Sequence, residues 1–269
     1  MDAKELIQAG RLDEARSRLT EAVKSAPTDL SNRTLLFQML AFSGQWDKAR
    51  RHLEVIAAQD PDRITVVQMC HELIKAEIER QETIRQHRLP AFLPKSPTYG
   101  DKYQKAWENS GKQQFESART ILDDIHAGLP PVAGELNDKP FQGFKDADTR
   151  LALVLEVFVH EHYVWIPIDS LRELVLPAPT SLLDLIWASA QITTWDGLTV
   201  NGFLPVLYPD THQHEDDRVK LGRMTDWAPL AKGISKGFGQ HVLDVGDNEY
   251  GLLEIRKAVF TSPVVESSQ

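Results

Sequence analysis

The chain has 269 residues, 42% of them hydrophobic and 8% aromatic, with 30 Lys and Arg against 39 Asp and Glu for a formal charge of -9. That composition can bury a core and excludes global disorder, while an acidic balance without any Lys/Arg run leaves no electrostatic footprint for a duplex phosphate backbone. No stretch approaches the roughly 18 apolar residues of a membrane span, the first residues lack a signal-peptide pattern, and the lone Cys70 makes neither an internal disulfide nor a zinc site, so a soluble cytoplasmic protein is expected.

The charge is unevenly spread. Residues 1–89 carry 14 basic and 14 acidic side chains, whereas residues 90–269 carry 16 and 25, a first sign of two differently composed parts. Within the first sixty residues a comb repeats: Gly10, Asp13, Ala15, Arg16, Leu19 and Pro27 recur as Gly44, Asp47, Ala49, Arg50, Leu53 and Pro61. Every pair is 34 apart, the period of tetratricopeptide (TPR) repeats. A helix ends near Ala9, Gly10 supplies a permissive turn, and a second helix runs from about Asp13 to Pro27. Ala15 and Ala49 are small where paired helices approach. A degenerate third copy follows at Ala118, Leu122, Ile125 and Pro130.

Between the copies, Asp60-Pro61 opens a long helix to about His87, with Asp60 suited to the cap and Pro61 to the first turn. Its expected apolar stripe is Ile64, Val67, Cys70 (with Met69), Ile74 and Ile78. A proline-punctuated stretch, residues 89–97, precedes helices near 101–109 and 113–127. Residues 1–131 therefore read as one domain of TPR-like helical hairpins that must stack to bury their faces. Residues 132–149 read as a linker.

From residue 150 the pattern turns to strands. Leu151–Val159 and Tyr163–Pro167 read as a hairpin, Asp169–Leu174 as a short helix, and Ser181–Leu185 as the start of another. Ile186–Thr194 and Leu198–Tyr208 flank an Asp196-Gly197 turn. Gly239–Val245 and Gly251–Phe260 make a last pair. The fold class is α+β: TPR-like hairpin repeats, then a small, strongly bent antiparallel β domain over 150–260, as open sheet or barrel, with a tail at 261–269. Trp165, Trp187, Trp195 and Trp227 supply an aromatic core for that half.

At this point several phrases resemble the ImpE/SciE/TagJ family. They are Gly10 to Arg16, Asp29 to Phe42, Trp165-Ile166-Pro167, Asp184 to Trp187, Leu204 to Tyr208, Leu221 to Trp227, and Leu253 to Arg256. They occur in order over nearly the whole chain and are more specific than a TPR comb. The resemblance implies an accessory protein of bacterial type VI secretion that binds the small subunit of the contractile sheath and links it loosely to the recycling ATPase. It also implies no chemistry of its own, and it carries over no contact residues.

Candidate sites follow from the residues themselves. In the repeat register the concave positions fall on Thr34, Gln38, Thr65, Gln68, Glu72 and Lys75, a polar and nearly neutral surface able to hydrogen-bond a helix or extended segment. His160-Glu161-His162 and His212-Gln213-His214 with Glu215, Asp216 and Asp217 are metal-like clusters, since imidazole plus carboxylate suits zinc. Neither has a third ligand at a forced spacing, so no metal and no cofactor is assigned. Gly233, Gly237 and Gly239 miss the phosphate-loop spacings and read as turn glycines. No Gly-x-Ser-x-Gly elbow exists, Cys70 reads as a small buried hydrophobe, and Arg223, Asp226, Glu254 and Arg256 as polar contacts holding the β domain together. The reading is a non-enzymatic adaptor with a protein partner and neither nucleic acid nor membrane. Two other classes stay open: a TPR-type chaperone for a secreted effector, and a metal-dependent enzyme using His160/His162 or His212/His214.

Overall fold

Gly10 and Gly44, the first members of the 34-residue comb, both turn the chain with left-handed φ, +75° and +65°. The structure is a computed structural model and describes residues 1–262. Each of these glycines joins two helices: α1 (Ala3–Gln8) to α2 (Leu12–Ser25), and α3 (Leu30–Phe42) to α4 (Trp46–Gln59). Ala15 and Ala49 are fully buried where the hairpins pack, with Leu19, Leu53 and Ile56 on the same faces. After a 3-10 turn at Pro61–Arg63, α5 (Ile64–Arg85) runs long, and β1 (Ala91–Phe92) leads to α6 (Gly100–Gly111) and α7 (Phe115–Gly128).

The buried face of α5 is not the expected stripe. Ile64 and Ile78 are 61% and 39% exposed, while Leu73, Glu77 and Arg80 join Val67, Cys70 and Ile74 inside. The residues at 70, 73/74, 77 and 80 share one face at helical spacing, so the core side of this helix carries a carboxylate and a guanidinium.

The segment 132–149, expected as a linker, holds β2 (Ala133–Leu136), β3 (Lys139–Gln142) and β4 (Phe144–Asp146). Then come β5 (Val154–Val159), β6 (His162–Pro167), β7 (Leu171–Val175), β8 (Trp187–Thr194) and β9 (Thr199–Pro205). A short helix α8 (Asp217–Lys220) separates them from β10 (Asp226–Ala231), β11 (Ile234–Phe238), β12 (Val242–Val245), β13 (Asn248–Gly251) and β14 (Lys257–Phe260). Nine strands form one sheet in the order β1-β6-β5-β9-β8-β7-β14-β2-β3, with β13-β12-β4 and β10-β11 as separate small sheets. The large sheet is open, with β1 and β3 at its edges, so the fold is α+β and the barrel form is corrected. It is also mixed, because β1 pairs parallel with β6.

Residues 169–174, expected as a helix, lie instead in a 3-10 turn (Ile168–Ser170) followed by β7. The helix expected from Ser181 is one 3-10 turn, Leu183–Leu185, whose Asp184 accepts backbone N–H bonds from Thr180 and Ser181. Of the tail expected at 261–269, residues 263–269 lie outside the described residues.

Both faces of the β5–β6 hairpin are buried, which explains a β5 sequence that is apolar except for Glu156. Val154, Phe158, Tyr163 and Trp165 continue the core of the helices, while Leu155, Val157, Val164 and Ile166 enter a second core closed by β4, β12 and β14. The buried tryptophans Trp165 and Trp187 therefore lie in the core shared by the two halves, while Phe141, Phe144 and Phe260 cluster inside the β half. Trp165 packs 5.5 Å from Tyr103 and 5.3 Å from Trp107, both on α6, whereas Trp195 and Trp227 are 39% and 37% exposed.

The loop after β9 locks onto the repeat turns. Arg11, at the N-cap of α2, offers no side-chain cap, and the Asp13 N–H instead donates to Asp217 Oδ2 at 3.1 Å. Arg223 donates to the last carbonyls of α1, at 2.6 Å to the Ile7 oxygen, so it ties the two halves together rather than bracing the β half alone. A Cβ on Gly44 would stand 2.6 Å from the His212 ring, whereas one on Gly10 would stand 3.1 Å from Cγ of the exposed Arg218. We therefore expect Gly44→Ala to lower stability by about 1–3 kcal/mol and Gly10→Ala by less. Urea unfolding of both variants checks this, and equal losses would contradict the role given to His212.

Candidate protein-binding site

The six positions picked from the repeat register are divided by the fold. Thr34 donates its hydroxyl to the Leu30 carbonyl at 2.7 Å and accepts from Arg63 at 3.4 Å, which places the start of α5 beside α3. Gln38 is half-buried, Thr65 is exposed, and Gln68 donates to Glu72 at 3.2 Å. Lys75 pairs with Glu161 at 2.5 Å, and Glu72 faces His160 at 4.0 Å. One turn further, Glu79 accepts the Tyr163 N–H at 3.0 Å and faces His162 at 3.5 Å. The turn between β5 and β6 thus lies along α5, and Glu72 and Lys75 hold the chain to itself.

The same contacts account for the histidines. His160 and His162 face carboxylates of α5, while His212 packs on Gly44, and burial lowers its pKa. His214 accepts the Asp216 N–H at 3.0 Å and meets Asp226 at 3.2 Å. Among the described residues no group of three or more His, Cys, Asp or Glu stands where it could hold a metal ion. Burial pushes the Cys70 thiol up to about 12, which leaves it a protonated core side chain. Gly233 lies in the β10–β11 turn, the Gly237 N–H is taken by the Asp148 carboxylate at 3.1 Å, and the Gly239 N–H donates to the Thr211 hydroxyl at 2.9 Å. Asp226, Glu254 and Arg256 make their contacts within the β half, where Asn137 bonds the Glu254 carbonyl at 3.0 Å and the Arg256 N–H at 2.8 Å.

A charged cluster is buried where α5 meets the sheet. Arg80 reaches Glu156 of β5 through two hydrogen bonds, at 2.9 and 2.6 Å, and Glu77 at 3.3 Å. His241 sits between Asp146 at 2.7 Å and Glu156 at 3.2 Å. Tyr208 donates to Asp146 at 2.7 Å, Trp187 approaches Glu77 at 3.4 Å, and the Tyr163 hydroxyl donates to Glu156. Burial raises the hydroxyl pKa of Tyr163 and Tyr208, so both phenols stay protonated donors. Arg80, Asp146, Glu156 and His241 are all buried, an arrangement that orients two layers, and the cavity beside Arg80, Glu77 and Tyr208 measures about 30 Å³. Little in the local sequence pattern marks this cluster. Its signal was a lone Glu156 within the apolar run 151–159 and a Glu77/Arg80 pair on the core face of α5.

Two surface clefts stand out by their volume among the described residues. The wider, about 720 Å³, lies between the end of α5, the α6–α7 turn and the β10–β11 hairpin. Its cations are already taken: Arg85 by Glu82, Lys236 by Asp210 at 2.7 Å and Arg150 by Asp148 at 2.6 Å. The other, about 510 Å³, runs between α2 and α4 over α3. Val23, Leu36 and Leu40 line it, with Arg16, Lys24, Lys48, Arg51 and His52 along its walls. An apolar floor with a polar, charged rim is the usual anatomy of a protein-binding groove.

Comparison with known proteins gives two family matches. Residues 138–259 match the ImpE protein family, and residues 6–71 match a tetratricopeptide repeat family. Over 260 residues the chain is 35% identical to the type VI secretion system accessory component TagJ of Pseudomonas aeruginosa, covering 97% of this chain and 91% of that protein. A crystal structure of a Vibrio parahaemolyticus protein has the same fold, with a TM-score of 0.87 at 23% identity over 97% of this chain and 98% of that one.

Proposed function

The chain belongs to the ImpE family, with the type VI secretion accessory component TagJ among its relatives, and we propose that it is a non-enzymatic adaptor that captures the small subunit of the contractile sheath. In this reading the helical array holds a segment of that subunit, and the bound adaptor brings the sheath to its recycling ATPase. The observation that carries the reading is the open groove over α3, the cleft whose apolar floor has a rim of cations not all matched by carboxylates. The polar face of Thr34, Gln38, Thr65 and Gln68 is a second surface of the same array, suited to hydrogen bonds rather than to apolar anchoring. The sheet supports this role mechanically, because the cluster around Arg80 and the contacts of Arg223 and Asp217 hold the helices in one arrangement. A pre-arranged groove loses less conformational entropy when it binds.

Co-expression with the small sheath subunit tests the reading. A tagged full-length chain is expected to co-purify with that subunit at near-equal amounts through gel filtration. Separate elution, with both proteins folded, would remove the sheath subunit as partner.

A further inference from the structure

The groove between α2 and α4 has features that define its occupant. Its floor is made by Leu36 and Leu40, one helical turn apart on α3, with Val23 beside them from α2. Apolar points at that pitch mesh with side chains repeating at three and four residues on a partner helix. The walls are helices, so they offer side chains and no strand edge. An extended segment would lay unpaired backbone N–H and C=O groups on apolar side chains, whereas a helix satisfies its own backbone. The groove follows α2 from Asp13 to Lys24, about 16 Å at the helical rise, or about three turns.

The charge of the walls sets the charge of the occupant. Asp13 is the single carboxylate on the lining and is already paired with Arg16 at 2.9 Å. Lys24 pairs with Glu21 at 2.8 Å, so the α2 wall is largely neutralised. The α4 wall is different. Lys48 touches only the neutral amide oxygen of Gln45, at 2.8 Å, and among the described residues no carboxylate stands within ion-pair distance of Arg51. Behind His52 lies Arg33, 8% exposed, with its Nη1 3.3 Å from the imidazole, its Nη2 donating to the Pro27 carbonyl and its Nε unpaired. Among the described residues Arg33 also lacks a carboxylate partner, and buried cations are usually paired. The α4 wall of the groove therefore holds two positive charges, Lys48 and Arg51, that the fold leaves unmatched, with the buried Arg33 behind them.

We propose that this groove takes an acidic amphipathic helix of about three turns, its aliphatic stripe over the floor of Leu36, Leu40 and Val23 and its carboxylates toward Lys48 and Arg51. This deepens the adaptor reading and rests on it only for the claim that the helix belongs to the sheath subunit.

The test uses the full-length protein and a fluorescent, end-capped model peptide of about fifteen residues, with leucine at alternating third and fourth positions and glutamate along both flanks. A second peptide carries lysine in place of glutamate. The glutamate peptide is expected to bind, the lysine peptide roughly tenfold or more weakly, and added salt to weaken the first. Lys48→Glu with Arg51→Glu, both at exposed sites, is expected to reverse the preference. Equal binding of the two peptides, binding of neither, or an unreversed preference in the charge-swapped variant would overturn the proposal. Measuring sheath-subunit capture by the same variant keeps the two readings apart. Undiminished capture with no peptide binding overturns the groove and leaves the adaptor standing. Selective peptide binding with no capture by the wild type overturns the adaptor and supports the groove.

Discussion

Replacing Arg80 with alanine is expected to lower the unfolding free energy by about 3–5 kcal/mol, the usual result of removing one partner from a buried ion pair. Arg80 is the only cation of α5 on the buried face, and its guanidinium is held by Glu156, Glu77 and the Leu207 carbonyl, the last at 3.1 Å. Burial alone would raise the Glu156 carboxyl; Arg80 and His241 more than reverse that and hold it well below the usual carboxylate range. Without Arg80, Glu156 and Glu77 must stay charged in an apolar setting or take up protons. Either outcome costs stability that a domain with about 5–15 kcal/mol in hand notices. Urea denaturation measures the loss. The double variant Arg80→Ala with Glu156→Ala is expected to lose less than the sum of the two single variants, because the second change relieves the charge stranded by the first. Additive losses would show that the two side chains do not act as a pair.

The second large effect is on pH dependence and comes from His241. Burial lowers the pKa of this imidazole, but Asp146 and Glu156, one at each ring nitrogen, raise it further, to about 9. Arg80 Nη2 stands 3.5 Å from Nε2 on the α5 side, and the Tyr208 ring is 4.0 Å away on the other. The folded pKa is raised above the unfolded value of about 6.5. The stabilisation is therefore fully present below about pH 6.5 and is lost as pH rises through about 9. A shift of that size corresponds to about 3 kcal/mol. Wild type is thus expected to lose about that much more stability across the window than His241→Gln, which keeps a polar side chain there but cannot titrate. Parallel pH curves for the two proteins would mean that His241 is not held as an imidazolium.

The helical half was legible because its signal is local. Gly10 and Gly44 take the left-handed turn that the comb required, and Ala15 and Ala49 sit at zero exposure where small residues were expected. The Asp196-Gly197 turn likewise announced the hairpin of β8 and β9. Failures came where pairing over long distances overrides local pattern. Leu171 and Leu174, three apart, suggested a helix. Both point inward from a strand because a register shift between Leu171 and Glu173 changes the alternation. The strands β2 and β3 are short, and Pro140 sits in the edge strand β3, a position where proline removes no needed ladder bond, so the sequence there reads as linker.

The candidate site was legible only as residue types. Periodicity identified polar faces on α3 and α5, but nothing local told that the β5–β6 turn would lie on Glu72 and Lys75. The α2–α4 groove was invisible for a related reason: its floor belongs to a third helix, and Leu36 and Leu40 read simply as core. The unmatched charge of Lys48 and Arg51 depends on knowing which carboxylates are absent, a property of packing and not of spacing.

The central claim is that the helical array captures the small sheath subunit through this groove. Titration calorimetry of the purified full-length chain with that purified subunit tests it most directly, alongside the Lys48→Glu, Arg51→Glu variant. The account predicts saturable binding at about 10 µM or tighter for the wild type, weakened roughly tenfold by the charge reversal. No heat of binding at several times that concentration, confirmed by separate migration of the two folded proteins, would contradict it.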